Sequence, residues 1–209
     1  MANPGANIAH SMAKIPESGA IAEVVTFREY QDSTNQMYAD VKVPEVEVKN
    51  EDGTVNQDST DAINQSIQEY TDEIIAQYQA DVEAADGQGY QAVDLDYQVI
   101  TDSERLFSIR FDKLVIMASG EETVKIYQID KKTGELINLS GILKEGVNYI
   151  DPISENIREQ MKEQMAADEN VTYWLDSDTP EWDFKSITAD TTFYINEEGR
   201  LVIVFDEGE

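Results

Sequence analysis

The spacing of apolar residues changes period at Gly87, and that change limits the folds open to this chain. Upstream, Ile63, Ile67, Tyr70, Ile74 and Tyr78 fall at steps of three and four, one stripe of an amphipathic helix running to about Ala85. Thr60 or Asp61 is the expected N-cap, and Gly87-Gln88-Gly89 stops the helix. Downstream, Val93, Leu95, Tyr97 and Val99 alternate with Asp94, Asp96 and Gln98, the pattern of a strand with one wet face. A long surface helix followed by half-buried strands belongs to the α+β class.

The rest of the chain fits that class. Phe107, Ile109 and Phe111 continue the alternation after a turn near Ser103, and Ser119-Gly120-Glu121-Glu122 turns into a strand from Val124 to Ile129. Asp130 to Glu135 forms another turn, with Gly134 suited to positive φ, so Gly89 to about Asn138 reads as an antiparallel meander. Val24–Tyr30 and Tyr38–Val43 read as a strand pair, with Val46 and Val48 leaving room for the second to run past Pro44. Ile8, Met12, Ile15, Ile21 and Val24, interrupted by Pro16 and Gly19, read as an N-terminal amphipathic helical segment in two short pieces. Leu139 to Gly146 is a short helix or loop. Ile153, Ile157, Met161 and Met165 mark a second long helix after Pro152. Thr192–Ile195 and Leu201–Phe205 form a hairpin with Gly199 at its left-handed position. The expected architecture is therefore antiparallel sheets, each packed against a long amphipathic helix. Its expected parts are a segment 1–23, an α+β unit 24–132 and a second α+β unit 133–209, the last cut short at its C-terminal end.

Charge narrows the function. The chain has 43 Asp and Glu against 15 Lys and Arg, a net charge of -28. Phosphate contacts need clustered cations, so nucleic acid is excluded as a partner, and unaided contact with an anionic membrane is disfavoured. With no cysteine there is no disulfide, thiolate metal site or cysteine nucleophile. A single histidine, His10, excludes a multi-histidine metal site. What the charge favours is a cationic partner. No apolar run is long enough to span a bilayer.

No catalytic constellation emerges, and none is expected: the chain reads as no enzyme, with no cofactor and no metal. Asp94/Asp96 and Asp176/Asp178 have a D-x-D spacing but lack the glycine and closing glutamate of a calcium loop. The stretch Asp168–Asp183 holds six acids, no Lys or Arg, and the aromatics Tyr173, Trp174 and Trp182. Two readings stand there: the tryptophans cap the core beside the second helix, or they anchor a basic partner. Two readings stand for Ala9-His10-Ser11: an ordinary helix start, or the small-x-small pattern that signal peptidase accepts before a scissile bond, here Ser11–Met12.

Several motifs resemble one family. Ser11-Met12-Ala13-Lys14-Ile15-Pro16, Leu106-Phe107-Ser108-Ile109-Arg110, Ile129-Asp130-Lys131-Lys132, the helix from Ile153 to Met165, Tyr173-Trp174-Leu175 and Leu201 to Glu207 are similar to the ectodomain of the lysozyme-sensing anti-sigma-V factors of the RsiV type. The resemblance covers about residues 8–209. It implies a single-pass membrane protein whose cytoplasmic segment, absent here, holds a sigma factor and whose outer domain binds lysozyme at the extracellular face. Lysozyme binding would let signal peptidase cut after Ala9-His10-Ser11, and a second cut would free the sigma factor. The resemblance implies lysozyme contacts at Ser119-Gly120-Glu121 and in a Pro-Gly-aromatic segment following Glu207, which this chain lacks. The C-terminal part also resembles secreted bacterial domains, some fused to peptidoglycan deacetylases, so the alternative is a cell-wall-associated binding or accessory domain.

Overall fold

The computed structural model describes residues 21–144, 146–196 and 198–206. Among them the chain forms eight strands, two α-helices and one 3₁₀ turn. Strands β1 (Ile21–Thr34), β2 (Met37–Lys49), β3 (Gln91–Asp102), β4 (Leu106–Ile116), β5 (Gly120–Asp130) and β6 (Glu135–Leu136) make one sheet in that order. Helix α1 (Gln57–Ala85) lies between β2 and β3; helix α2 (Ile150–Ala167) precedes a small hairpin of β7 (Phe193–Ile195) and β8 (Leu201–Ile203).

The class is α+β, but the large sheet is mixed, which corrects the antiparallel expectation. β2 and β3 pair in parallel, from Met37↔Gln91 to Val41↔Leu95. The cause is α1. At about 1.5 Å per residue its 29 residues span roughly 43 Å, carrying the chain back along β2 so that β3 starts where β2 starts. Period alone identifies both elements and says nothing of which strand β3 joins.

Two further corrections concern boundaries. Ile21 to Val24 belong to β1 and not to a helical piece; the remainder of that expected helix lies outside the described residues. The N-cap of α1 is Asn56, whose side chain accepts the Ser59 N–H at 3.2 Å. Thr60 and Asn64 are used elsewhere. Parallel pairing with β3 ends at Val41, so the rest of β2 would present unpaired main-chain groups. Asn64 accepts the Val46 N–H at 2.8 Å and donates to the Val46 carbonyl at 2.9 Å, and Thr60 Oγ1 accepts the Val48 N–H at 3.0 Å. Two helix side chains thus stand in for the missing strand.

The main core lies between α1 and one face of the sheet: Ile63 and Ile67 pack with Val41, Val46, Val48, Leu95, Ile109 and Phe111. Apolar faces of this kind supply about 25 cal/mol per Å² removed from water. A separate cluster joins Leu139, Ile187 and Phe193 with Ile150, Ile153 and Ile157 of α2 and with Leu201, Ile203 and Phe205. The small hairpin is tied to the large sheet by polar bonds: Thr101 donates to the Ile195 carbonyl at 2.7 Å and Gln128 to that of Phe193 at 3.1 Å.

Candidate functional site

The β4–β5 hairpin pairs continuously from Leu106↔Asp130 to Ile116↔Gly120. Met117, Ala118 and Ser119 turn the chain, and Met117 donates its N–H to the Ser119 carbonyl at 3.1 Å. Residues 117–122 are all exposed, and Met117 keeps 55% of its surface in solvent. Ser119, Gly120 and Glu121 are therefore the tip of a projecting arm. Gly120 is not required there by space, since a Cβ would meet only Leu114 Cδ1 at 3.5 Å.

The C-terminal strand comes to the same arm. Asp206 Oδ1 accepts the N–H of Val124 at 2.7 Å, three residues along β5 from Glu121 and so about 10 Å from it. That N–H points away from β4, to the side of β5 that β6 does not reach, because β6 pairs only with Ile129 and Asp130. Phe205 stacks edge-on against Phe184 with ring centroids 5.6 Å apart, fixing the strand's exit from its other side. Glu207 lies outside the described residues, as do Ala9, His10, Ser11 and Met12. The structure thus joins the neighbour of one expected contact segment to the strand that carries the other. Sequence reading missed this bond; an acid ending the apolar run Leu201–Phe205 was its one trace.

The tryptophans do not cap the core. Trp174 is 47% and Trp182 63% exposed, and the rings meet edge to face at 5.1 Å. Their loop is clasped internally. The Asp183 carboxylate accepts the Ser177 N–H at 3.1 and 3.2 Å; the Ser177 side chain first, and then this N–H, hold its pKa below the usual carboxylate range, and Phe184 donates to the Trp174 carbonyl at 2.9 Å.

The two D-x-D pairs behave as ordinary charges. Asp94 faces Asp40 across the parallel β2–β3 junction, and partial burial followed by the neighbouring Asp40 and Asp96 charges raises its pKa. Lys42 bonds Asp96 at 3.1 Å, which raises the lysine pKa. Asp176 pairs with Lys162 at 3.2 Å. Among the described residues no group of three His, Asp or Glu is arranged to hold a metal ion, and no helix is long and apolar enough to cross a membrane.

Residues 140–209 match the family described as "Protein of unknown function (DUF3298)". A crystal structure of a DUF3298 family protein from Pseudomonas aeruginosa PAO1 shares the fold, with a TM-score of 0.51 at 16% identity, covering 84% of this chain and 79% of that one. The chain is 36% identical over 207 residues to the anti-sigma-V factor RsiV of Bacillus subtilis (strain 168), covering 99% of this chain and 69% of that protein. At that identity and coverage, this chain belongs to the RsiV anti-sigma factor family and corresponds to its extracellular domain.

Proposed function

We propose that the chain is the lysozyme-sensing ectodomain of an anti-sigma factor, with lysozyme binding making the bond before Met12 cleavable by signal peptidase. Kinship with RsiV over 99% of the chain carries this reading. Four features support it. The net charge of -28 suits a strongly basic partner and would speed encounter in a salt-dependent way. The exposed Ser119–Glu121 tip has the shape of an element that enters a cleft. The Asp206–Val124 bond keeps the chain leading to Glu207 beside the strand that bears that tip. Ala9 and Ser11 supply the small side chains signal peptidase requires.

The mechanism is a shift in population. Lysozyme must bind better when the segment around Met12 is open than when it is closed. Pro16 and Gly19 keep any helix there marginal, so little energy is needed to open it. The test is a membrane-anchored version incubated with purified signal peptidase, with and without lysozyme. Cutting at Met12 should depend on lysozyme; equal cutting in both tubes removes the proposal.

A further inference from the structure

The exposed tryptophan pair has no part in the reading above, and it is the strongest apolar feature on an acidic surface. Trp174 and Trp182 lie at the two ends of a loop that also holds Asp176, Asp178, Glu181 and Asp183. Leaving two indoles about half in water is costly unless something covers them, and exposed tryptophans are the residues that most often anchor an interface.

The loop is built and not loose. Ser177 and Asp183 close its neck, Trp182 donates its N–H to the Thr179 carbonyl at 3.0 Å, and the edge-to-face contact fixes the two rings against each other. A docking ring held this way loses little freedom on binding.

The charge around it selects the occupant. Asp176 is already paired with Lys162, Asp183 accepts main-chain N–H groups and feels Lys185, and the Lys185 ammonium donates to the Pro180 carbonyl, but Asp178 and Glu181 are exposed and make no ion pair among the described residues. Arg158 covers Phe184, and Lys125 lies over Tyr127; among the described residues no cation of this chain lies over either indole. An indole face with nearby carboxylates attracts a Lys or Arg side chain, and Trp is the best ring for it. A sugar chain would want two ring faces set in line, and the interplanar angle of 84° does not provide them.

Position points to the partner. Phe184, which bonds the Trp174 carbonyl, stacks on Phe205, and the next residue, Asp206, holds Val124 of β5. The loop is therefore linked by direct contacts to the middle of β5, the strand that bears the Ser119–Glu121 tip.

We propose that the Trp174–Trp182 loop is a second docking point for the same basic partner, taking a Lys or Arg side chain onto Trp182 with Asp178 and Glu181 beside it. This rests on the proposed function for the partner's identity, but not for the chemistry of the loop.

The experiment separates the two. Trp174 and Trp182 are the chain's two tryptophans, so its tryptophan emission, excited where tyrosine does not absorb, reads this loop alone. Titration with a tryptophan-free oligoarginine peptide should shift that emission, less at high salt and less in Glu181→Gln. Calorimetry with lysozyme should show Trp182→Ala binding about tenfold more weakly, with Trp182→Phe between it and the parent chain. Circular dichroism of each variant checks folding, and Glu181→Gln decides should Trp182→Ala misfold. Unchanged lysozyme binding in Trp182→Ala and Glu181→Gln overturns the inference, as does an emission shift with soluble peptidoglycan fragments but none with oligoarginine. If the parent chain ignores lysozyme while oligoarginine shifts its emission, the proposed function falls and the loop's chemistry stands.

Discussion

Asp206 holds the main-chain N–H of Val124 at 2.7 Å, and that bond fastens the last described residue of the chain to the middle of the hairpin that projects Ser119. A carboxylate bond to a peptide N–H is roughly twice as strong as a neutral one. Replacing Asp206 by Ala should cost about 1–2 kcal/mol of stability and leave the Val124 amide open to solvent. Hydrogen exchange reads this directly: the Val124 amide should lose protection while amides of β3 keep theirs. In the proposed function the same variant should also weaken lysozyme binding, because Asp206 no longer ties the end of the described chain to β5.

Asn64 completes the edge of β2 with two bonds to Val46. Asn64→Leu keeps the bulk and removes both bonds, leaving a part-buried N–H and carbonyl without partners. Each such group costs about 1–3 kcal/mol, so a loss of roughly 2–4 kcal/mol is expected. The urea midpoint should fall with little change in the slope of the transition. Thr60→Val should show a smaller effect of the same sign, since Thr60 accepts the Val48 N–H at 3.0 Å but donates to the Val48 carbonyl only at 3.4 Å, and that carbonyl keeps the Asn56 N–H at 2.7 Å.

Gly134 sits at φ +76°, where a side chain is strained, and a Cβ there would overlap Ser59 Oγ and come within 2.9 Å of Asn56 Nδ2. Asn56 caps α1, so the turn after β5 packs directly on the helix start. Gly134→Ala should destabilise by about 1–3 kcal/mol, combining backbone strain with a displaced cap. Gly53→Ala, with nothing within 4 Å but a similar φ, isolates the backbone part and should cost less in the same thermal melt.

Tyr70 and Tyr127 meet the core around Phe111, and burial pushes both phenols up to about 12 from an ordinary value near 10. The folded state holds these protons more tightly than the unfolded chain. Their contribution is therefore intact below about pH 10 and lost as the pH rises towards about 12. Stability measured by urea unfolding should fall across that alkaline window, and Tyr70→Phe with Tyr127→Phe should flatten the fall. Phenolate absorbance should rise later for the parent chain folded than in urea.

Much of this was legible in one dimension. The stripe from Ile63 to Tyr78, the alternation from Val93 to Val99 and the left-handed glycines at 134 and 199 depend on neighbours a few residues apart, which is the range over which periodicity and turn chemistry act. So were the acidity and the kinship with RsiV. What lay beyond reach were pairings across long stretches of chain. Ser108, between Phe107 and Ile109, alternates like a solvent-facing residue, yet it, Thr101 and Gln128 are buried where β7 docks, and Asn64 looks like any polar helix residue until Val46 lies beside it. For the tryptophans the sequence leaves two readings, and the fold decides between core and surface: both are exposed, on a loop that closes on Asp183. Local pattern determines which face of an element is apolar; only the folded chain decides what covers that face, because burial is settled by whichever distant segment arrives there. The parallel β2–β3 junction and the Asp206–Val124 clasp are both of that second kind.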